Sequence, residues 1–202
     1  LLYLNEYSPT FYLKDFSSVS YHEWHKSPSS EKTFFDSAHI VVIDWIGVNI
    51  QKEFGSMDSI HSYLIKYFGR QDLDIFIYDH GTGEIADFIA IKEEKEVVNI
   101  ELIHVKGATG KNATGERVAD VYEVCGQAVK SLVWITNKSS FRKNIERRTI
   151  EHPEKYLKGT HNEFLGILSK DKVINFQISI VQPGISKANM IPKISEVLTA
   201  ND

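Results

Sequence analysis

Gly83-Glu84-Ile85-Ala86-Asp87-Phe88-Ile89-Ala90-Ile91 is followed, after the charged turn Lys92-Glu93-Glu94-Lys95-Glu96, by Val97-Val98-Asn99-Ile100-Glu101-Leu102-Ile103-His104-Val105-Lys106. Both runs read as apolar strands of one hairpin. Each carries polar groups where a sheet normally buries hydrocarbon: Asp87 inside the first, His104 and Lys106 at the end of the second. Strand side chains alternate between faces, so His104 and Lys106 share a face and Asp87 lies opposite them across the pair. Glu101 has the other parity and points away. The residues around Asp87 are apolar on both faces, which places its strand in the covered middle of a sheet rather than at a solvated edge. A buried carboxylate there needs a partner.

The order of elements follows from working outward. Upstream, Asp72-Leu73-Asp74-Ile75-Phe76-Ile77-Tyr78 reads as a strand closed by the turn Asp79-His80-Gly81-Thr82-Gly83. Before it, Ile60, Tyr63, Leu64, Tyr67 and Phe68 fall at helical spacing, with Ser56 or Asp58 as the cap and Gly69 as the stop. Downstream, the glycine-rich stretch 107–115 reads as a flexible loop or lid. It contains Lys106-Gly107 and Gly110-Lys111 but lacks the spacing of a phosphate-binding loop. A helix over 117–132 carries the stripe Val118, Val121, Cys125, Ala128, Val129 and Leu132. A basic helix over 138–148 and a short amphipathic one over 162–169 follow. The strand 173–181 is closed by Pro183-Gly184, and a last helix has Ser186 as its cap and Pro192 at its start or at a kink.

Three strands joined by tight turns must form an antiparallel meander, and a long helical crossover can return a fourth strand parallel to one of them. The fold class is therefore α/β: a core of helix, three-stranded antiparallel meander, helix and strand, giving a mixed sheet flanked by helices over 56–202. Residues 1–55 read as a mostly β extension, from the β-branched and aromatic runs at 10–13, 18–21 and 39–45 with Ser-Pro breaks between them.

The 202 residues are enough for one domain with a real core. A net charge of −4 excludes a global basic field, so any polyanion must be met by a local patch. One cysteine, Cys125, excludes an internal disulfide and fits a cytoplasmic setting; it has no adjacent base and belongs to an apolar stripe, which argues against a catalytic thiol. No apolar run reaches the roughly 18–20 residues of a membrane span, and no signal peptide is apparent. With no initiating Met and an end inside a helix pattern, the chain reads as a piece of a longer protein.

The polar positions suggest metal-assisted phosphodiester hydrolysis. That chemistry needs carboxylates for Mg²⁺, a group to orient water, and a cation to offset charge on the phosphate. Asp87 can supply the first and Lys106 the last. Glu84 adds a second carboxylate if a bulge or a water turns it inward, and Asp44 and Glu53 are weaker candidates for approaching the site. Gln127, one turn after Tyr122 and Glu123, reads equally as a group reaching a metal-bound water and as an exposed polar position. Lys138, Arg142, Lys143 and Arg147 put cations along one side of a helix, suited to DNA phosphates or simply to solvent.

Asp87 on the second strand and His104-Val105-Lys106 on the third, within the order helix, three strands, helix, strand, resemble the PD-(D/E)xK restriction-endonuclease-like family. Residues 83–88, the segment holding Tyr122-Glu123-Val124-Cys125-Gly126-Gln127-Ala128 and the run Ser179-Ile180-Val181-Gln182-Pro183-Gly184 look like the C-terminal region of large bacterial superfamily-2 DEAD/DEAH helicase-like proteins. The resemblance implies a metal-dependent DNA endonuclease attached to a helicase-type motor, in DNA processing or anti-phage defence. Asp87 and His104 would be the metal ligands, with His104 in the place of the second acid. Lys106 would be the motif lysine and Gln127 the helix glutamine of RecB-like members. Histidine is a softer ligand than a carboxylate, which shifts the expected cofactor from Mg²⁺ toward Mn²⁺. The alternative reading is a catalytically degenerate domain that binds DNA or a partner subunit.

Overall fold

The computed structural model describes residues 10–12, 17–20, 23–25, 35–108, 118–185, 187–188 and 190–199. Three short strands, β1 (Thr10–Tyr12), β2 (Ser18–Ser20) and β3 (Glu23–His25), form an antiparallel sheet. The main sheet has five strands in the order β7-β4-β5-β6-β8: β4 (Ile75–Tyr78), β5 (Phe88–Glu93), β6 (Val97–Val105), β7 (Tyr156–Lys158) and β8 (Val173–Val181). Strands β4, β5 and β6 make the expected antiparallel meander. β8 runs parallel to β6 from Val97↔Val173 to Val105↔Val181 without a register slip. The protein is thus α/β, with a mixed sheet and an antiparallel one flanked by helices. No helix among the described residues is long and apolar enough to cross a membrane.

Alternation along the strands builds two cores. Phe76, Phe88, Ala90, Ile103 and Val105 face helix α1 (Ile60–Gly69), which buries Ile60, Leu64 and Phe68 against them. Ile75, Ile77, Ile89, Ile91, Ile100 and Leu102 face the other way, against Phe141 and Ile145 of α4 (Lys138–Thr149) and Phe164 and Ile167 of α5 (His161–Leu168). A third cluster joins Val121 and Cys125 of α2 (Val118–Lys130) to Ile194, Val197 and Leu198 of α6 (Pro192–Thr199), beside Ile180 of β8.

Several local expectations are corrected. The cap of α1 is Ser59, whose hydroxyl accepts from the Ser62 amide at 3.3 Å, rather than Ser56 or Asp58. No strand forms over 39–45. A single 3₁₀ turn, Ser37–His39, is capped by Asp36, and the Asp44 carboxylate accepts from the Ile46 amide at 3.0 Å. These local side-chain bonds compete with ladder pairing. The expected helix over 117–132 is interrupted at Ser131, after which α3 (Leu132–Thr136) begins. The last helix begins at Pro192, whose fixed φ suits a first turn. The loop reading falls largely on 109–117, and the Ser186 cap on a residue that, like 109–117, lies outside the described residues.

Candidate functional site

Asp87 immediately precedes β5, in a bend, and the strict alternation of the strand does not yet bind it. Its backbone carbonyl accepts from the Asp79 amide at 3.0 Å, which continues the pairing of β4 with β5 by one step. Carboxylate oxygen Oδ2 accepts from the Val105 amide at 2.8 Å, the central residue of His104-Val105-Lys106. Oδ1 faces two histidines. The His80 Nδ1 is 2.8 Å away and donates to it, and the His61 Nε2 stands at 3.7 Å.

His61 sits on the buried stripe of α1, next to Ile60 and one turn before Leu64 and Ile65. Its other ring nitrogen, Nδ1, is 3.0 Å from the Tyr78 hydroxyl at the end of β4. The ring packs edge-on against Phe88 and Tyr78. His80 comes from the turn between β4 and β5, where Gly81 (φ 128°) and Gly83 (φ 75°) take backbone angles that side chains resist. Glu84 folds back over this turn: its carboxylate accepts from the Gly81 amide at 2.6 Å and lies 3.4 Å from His80 Nδ1. Phe54, more than half exposed, lies across His80 with ring centroids 4.4 Å apart.

One ligand atom each from His61, His80 and Asp87 falls within 4.8 Å of the others, so the group can hold a metal ion. Its electrostatics are those of charges withdrawn from water. Burial pushes the Asp87 carboxyl up to about 6, the Glu84 charge adding to this while the Val105 amide and His80 oppose it. Burial, with the neighbouring His80, pulls the His61 imidazole down to about 3. The Tyr78 hydroxyl goes up to about 12, from burial first and then the charges of Asp87, Glu84 and Glu53.

Lys106, the residue after β6, points its ammonium at Glu123 of α2, 2.6 Å away, with Glu53 at 3.8 Å. Burial lowers its pKa, but the bond to Glu123 and the charges of Glu53, Glu123 and Asp120 outweigh burial and hold it above the usual lysine value. Glu53 also accepts from the Gly107 amide at 3.0 Å. Gln127 follows Glu123 by one helical turn, on the same face of α2. Its Oε1 is buried and has no hydrogen-bond partner among the described residues.

His104 is built into a different neighbourhood. Its Nε2 lies 2.7 Å from the Ser131 hydroxyl, and Ser131 donates onward to the Ile85 carbonyl at 3.0 Å. Burial lowers its pKa to about 4. It is not part of the group that gathers around Asp87. Strand parity predicts His104 beside Asp87; His61 and His80 take that place instead. A histidine on the buried stripe of α1 was the available signal for His61; His80 was masked by the turn chemistry around it.

Of the basic run, Lys138, Lys143 and Arg147 are exposed on α4, opposite the buried Phe141, Ile145 and Thr149, while Arg142 is partly covered and bonded to Glu146 at 2.7 Å. The next residue, Arg148, turns toward the site. Its Nε donates to Asp79 Oδ1 at 2.6 Å, and its two terminal nitrogens donate to the Asp79 and Thr82 carbonyls at 2.9 and 3.0 Å. Lys155 adds a second cation, 3.1 Å from Asp79 Oδ1. The turn that carries His80 is thereby fastened to α4. Comparison with protein-family models, with curated proteins and with solved structures returns no match in any of the three.

Proposed function

We propose that this chain is a metal-dependent DNA endonuclease domain with a restriction-endonuclease-like core, belonging to a helicase-like protein. The observation that carries the reading is the contact between the two halves of the expected motif. Asp87 Oδ2 accepts from the amide of Val105, the residue between His104 and Lys106. The order helix, meander, helices and parallel strand supports the same reading.

In this reading Asp87 holds a divalent cation with its remaining oxygen. When bound, such a cation polarises the phosphate and lowers the pKa of a coordinated water. The donors fit a cation: a buried carboxylate oxygen and a buried imidazole nitrogen that lacks a hydrogen-bond partner face each other. Glu84 and Glu53 orient water around the site through their free lone pairs. Lys106 exchanges its exposed partner Glu123 for the phosphate and offsets the charge that grows there. Lys138, Lys143 and Arg147 track the DNA backbone along α4, and Gln127 orients water or phosphate from α2.

The test is cleavage of supercoiled DNA by the purified protein with Mg²⁺ or Mn²⁺, comparing wild type with Asp87→Ala and Lys106→Ala. Loss of roughly 10²-fold or more in both variants is expected, the scale on which removing one charge-stabilising group acts. Wild type that cuts nothing with either ion sinks the reading. A second reading, a degenerate domain that binds DNA or a partner subunit, is favoured by one feature: His104, in the place of the second acid, is bonded to Ser131 instead. It predicts DNA affinity without cleavage, measurable by fluorescence anisotropy of a labelled duplex.

A further inference from the structure

We infer that His61, His80 and Asp87 form a site for a first-row transition ion of the imidazole-binding class, such as Zn²⁺, Co²⁺ or Mn²⁺, in preference to Mg²⁺. The inference rests on the nuclease reading only for what the ion would do; the site itself stands on geometry. Mg²⁺ demands oxygen ligands and keeps most of its waters. Two imidazole nitrogens and one carboxylate oxygen instead suit borderline ions.

The most telling atom is His61 Nε2. The residue is 2% exposed, and this nitrogen has no hydrogen-bond partner although it points toward Asp87 Oδ1 at 3.7 Å. Leaving a buried nitrogen unpaired is destabilising, and a bound cation removes that cost. The atoms behind the ligands are arranged as metal sites require. Tyr78 sits 3.0 Å from His61 Nδ1, so a hydrogen on Nδ1 donates to the hydroxyl oxygen and leaves Nε2 bare for an ion. The Val105 amide occupies Asp87 Oδ2 and turns Oδ1 inward. The bond from His80 Nδ1 to Oδ1 and an ion at Nδ1 exclude each other; with the ion there, the imidazole hydrogen resides on Nε2. His80 and Glu84, each about one-fifth exposed, border a way in from solvent. The competing account is that His61 is an aromatic filler against Phe88 and Tyr78, with no ligand role.

Isothermal titration of the chelator-treated protein with ZnCl₂, CoCl₂, MnCl₂ and MgCl₂ separates the accounts. The expected result is one equivalent of Zn²⁺ or Co²⁺ per chain, with Mg²⁺ at least 10²-fold weaker and a visible Co²⁺ absorption band. His80→Ala and His61→Gln each weaken Zn²⁺ or Co²⁺ binding more than tenfold. Tyr78→Phe weakens it roughly tenfold, as loss of an orienting group does. His152→Ala, at an exposed position bonded to Glu154, leaves it unchanged. Circular dichroism of each variant shows whether it folds, and the variant at the partly exposed His80 keeps the test available if His61→Gln does not. Mg²⁺ binding as tightly as the others, or unchanged affinity in folded His61 and His80 variants, overturns the inference. Transition-ion binding lost in those variants, with no DNA cleavage by wild type, upholds it and overturns the nuclease reading. Mg²⁺-supported cleavage indifferent to both histidines does the reverse.

Discussion

Two aspartates eight residues apart, Asp79 and Asp87, are both withdrawn from water at 0% and 2% exposure, yet they have opposite surroundings. Asp79 meets two permanent cations, Arg148 and Lys155, and the Ile85 amide at 3.0 Å. Every oxygen it has is matched. Asp87 has one backbone amide and two imidazoles, one of which does not complete a bond to it. Its carboxyl is accordingly pushed up toward neutrality, to about 6. A buried acid surrounded by fixed cations holds a structure in place. One facing a backbone amide and two imidazoles, one of them not bonded to it, is left with an attraction for something that can still arrive.

The largest effect that would sharpen this contrast is on stability. Removing one partner of a buried ion pair costs about 3–5 kcal/mol. Urea unfolding of Arg148→Met or Asp79→Asn is expected to show a loss on that scale, while Asp87→Asn changes stability by about 1 kcal/mol or less. Equal losses at Asp79 and Asp87 would break the comparison.

Acid titration of stability comes next. His104, held near 4 when folded and near 6.5 when unfolded, stabilises the protein fully above pH 6.5 and loses that contribution as pH falls toward 4. By linkage the loss is about 3 kcal/mol. His61, lowered to about 3, acts in the same direction. Asp87 acts oppositely: raised to about 6, its contribution is fully present below about pH 3.8 and is lost as pH rises through 6. Wild type should therefore weaken between pH 6.5 and 4, and Asp87→Asn should weaken more steeply below pH 6. Urea midpoints at pH 7.5, 5.5 and 4.5, with chelator present, give the comparison.

A smaller effect is expected at Gly83. Its φ of +75° is costly for any side chain, and a Cβ there would stand 3.3 Å from Arg148 Nη1. Gly83→Ala should lower stability by about 1–2 kcal/mol, read as a lower melting temperature by calorimetry. The smallest effect belongs to Phe54, exposed over His80. Phe54→Ala should alter stability by about 0.5 kcal/mol or less, read by the same calorimetry.

Much of the fold was legible because periodicity carried it. β8 begins and ends where its alternating apolar run does, Val173–Val181, and the meander follows from three runs with short turns. β7 was invisible: three residues, Tyr156–Lys158, are too few to show a period, and only the exposed edge of β4 makes them a strand. The run over 39–45 misled because its β-branched residues find no ladder among the described residues. In the site, Asp87 and Lys106 stood out as polar breaks in apolar strands. His61 did not, since its partner lies 26 positions later in the chain (87 − 61) and only the packing of α1 on the sheet joins them. Parity failed for Asp87 because it falls one residue before β5, where the backbone bends and the carboxylate is free to turn to the α1 side.

The parallel pairing of β6 with β8 has a consequence for how the protein is made. Val97 meets Val173, 76 positions later (173 − 97), and the Lys106 amide bonds to the Val181 carbonyl at 3.0 Å. Contacts that distant form slowly, since a long loop must close first. On a ribosome, β4, β5 and β6 emerge with one flank of β6 bare until residue 181 has left the exit tunnel. For that interval the apolar stretch ending at Val105 is an open edge that another nascent chain can pair with. Slowing translation while Val173–Val181 is still inside the tunnel should therefore lower the soluble yield of this protein more than slowing it once Val181 has emerged.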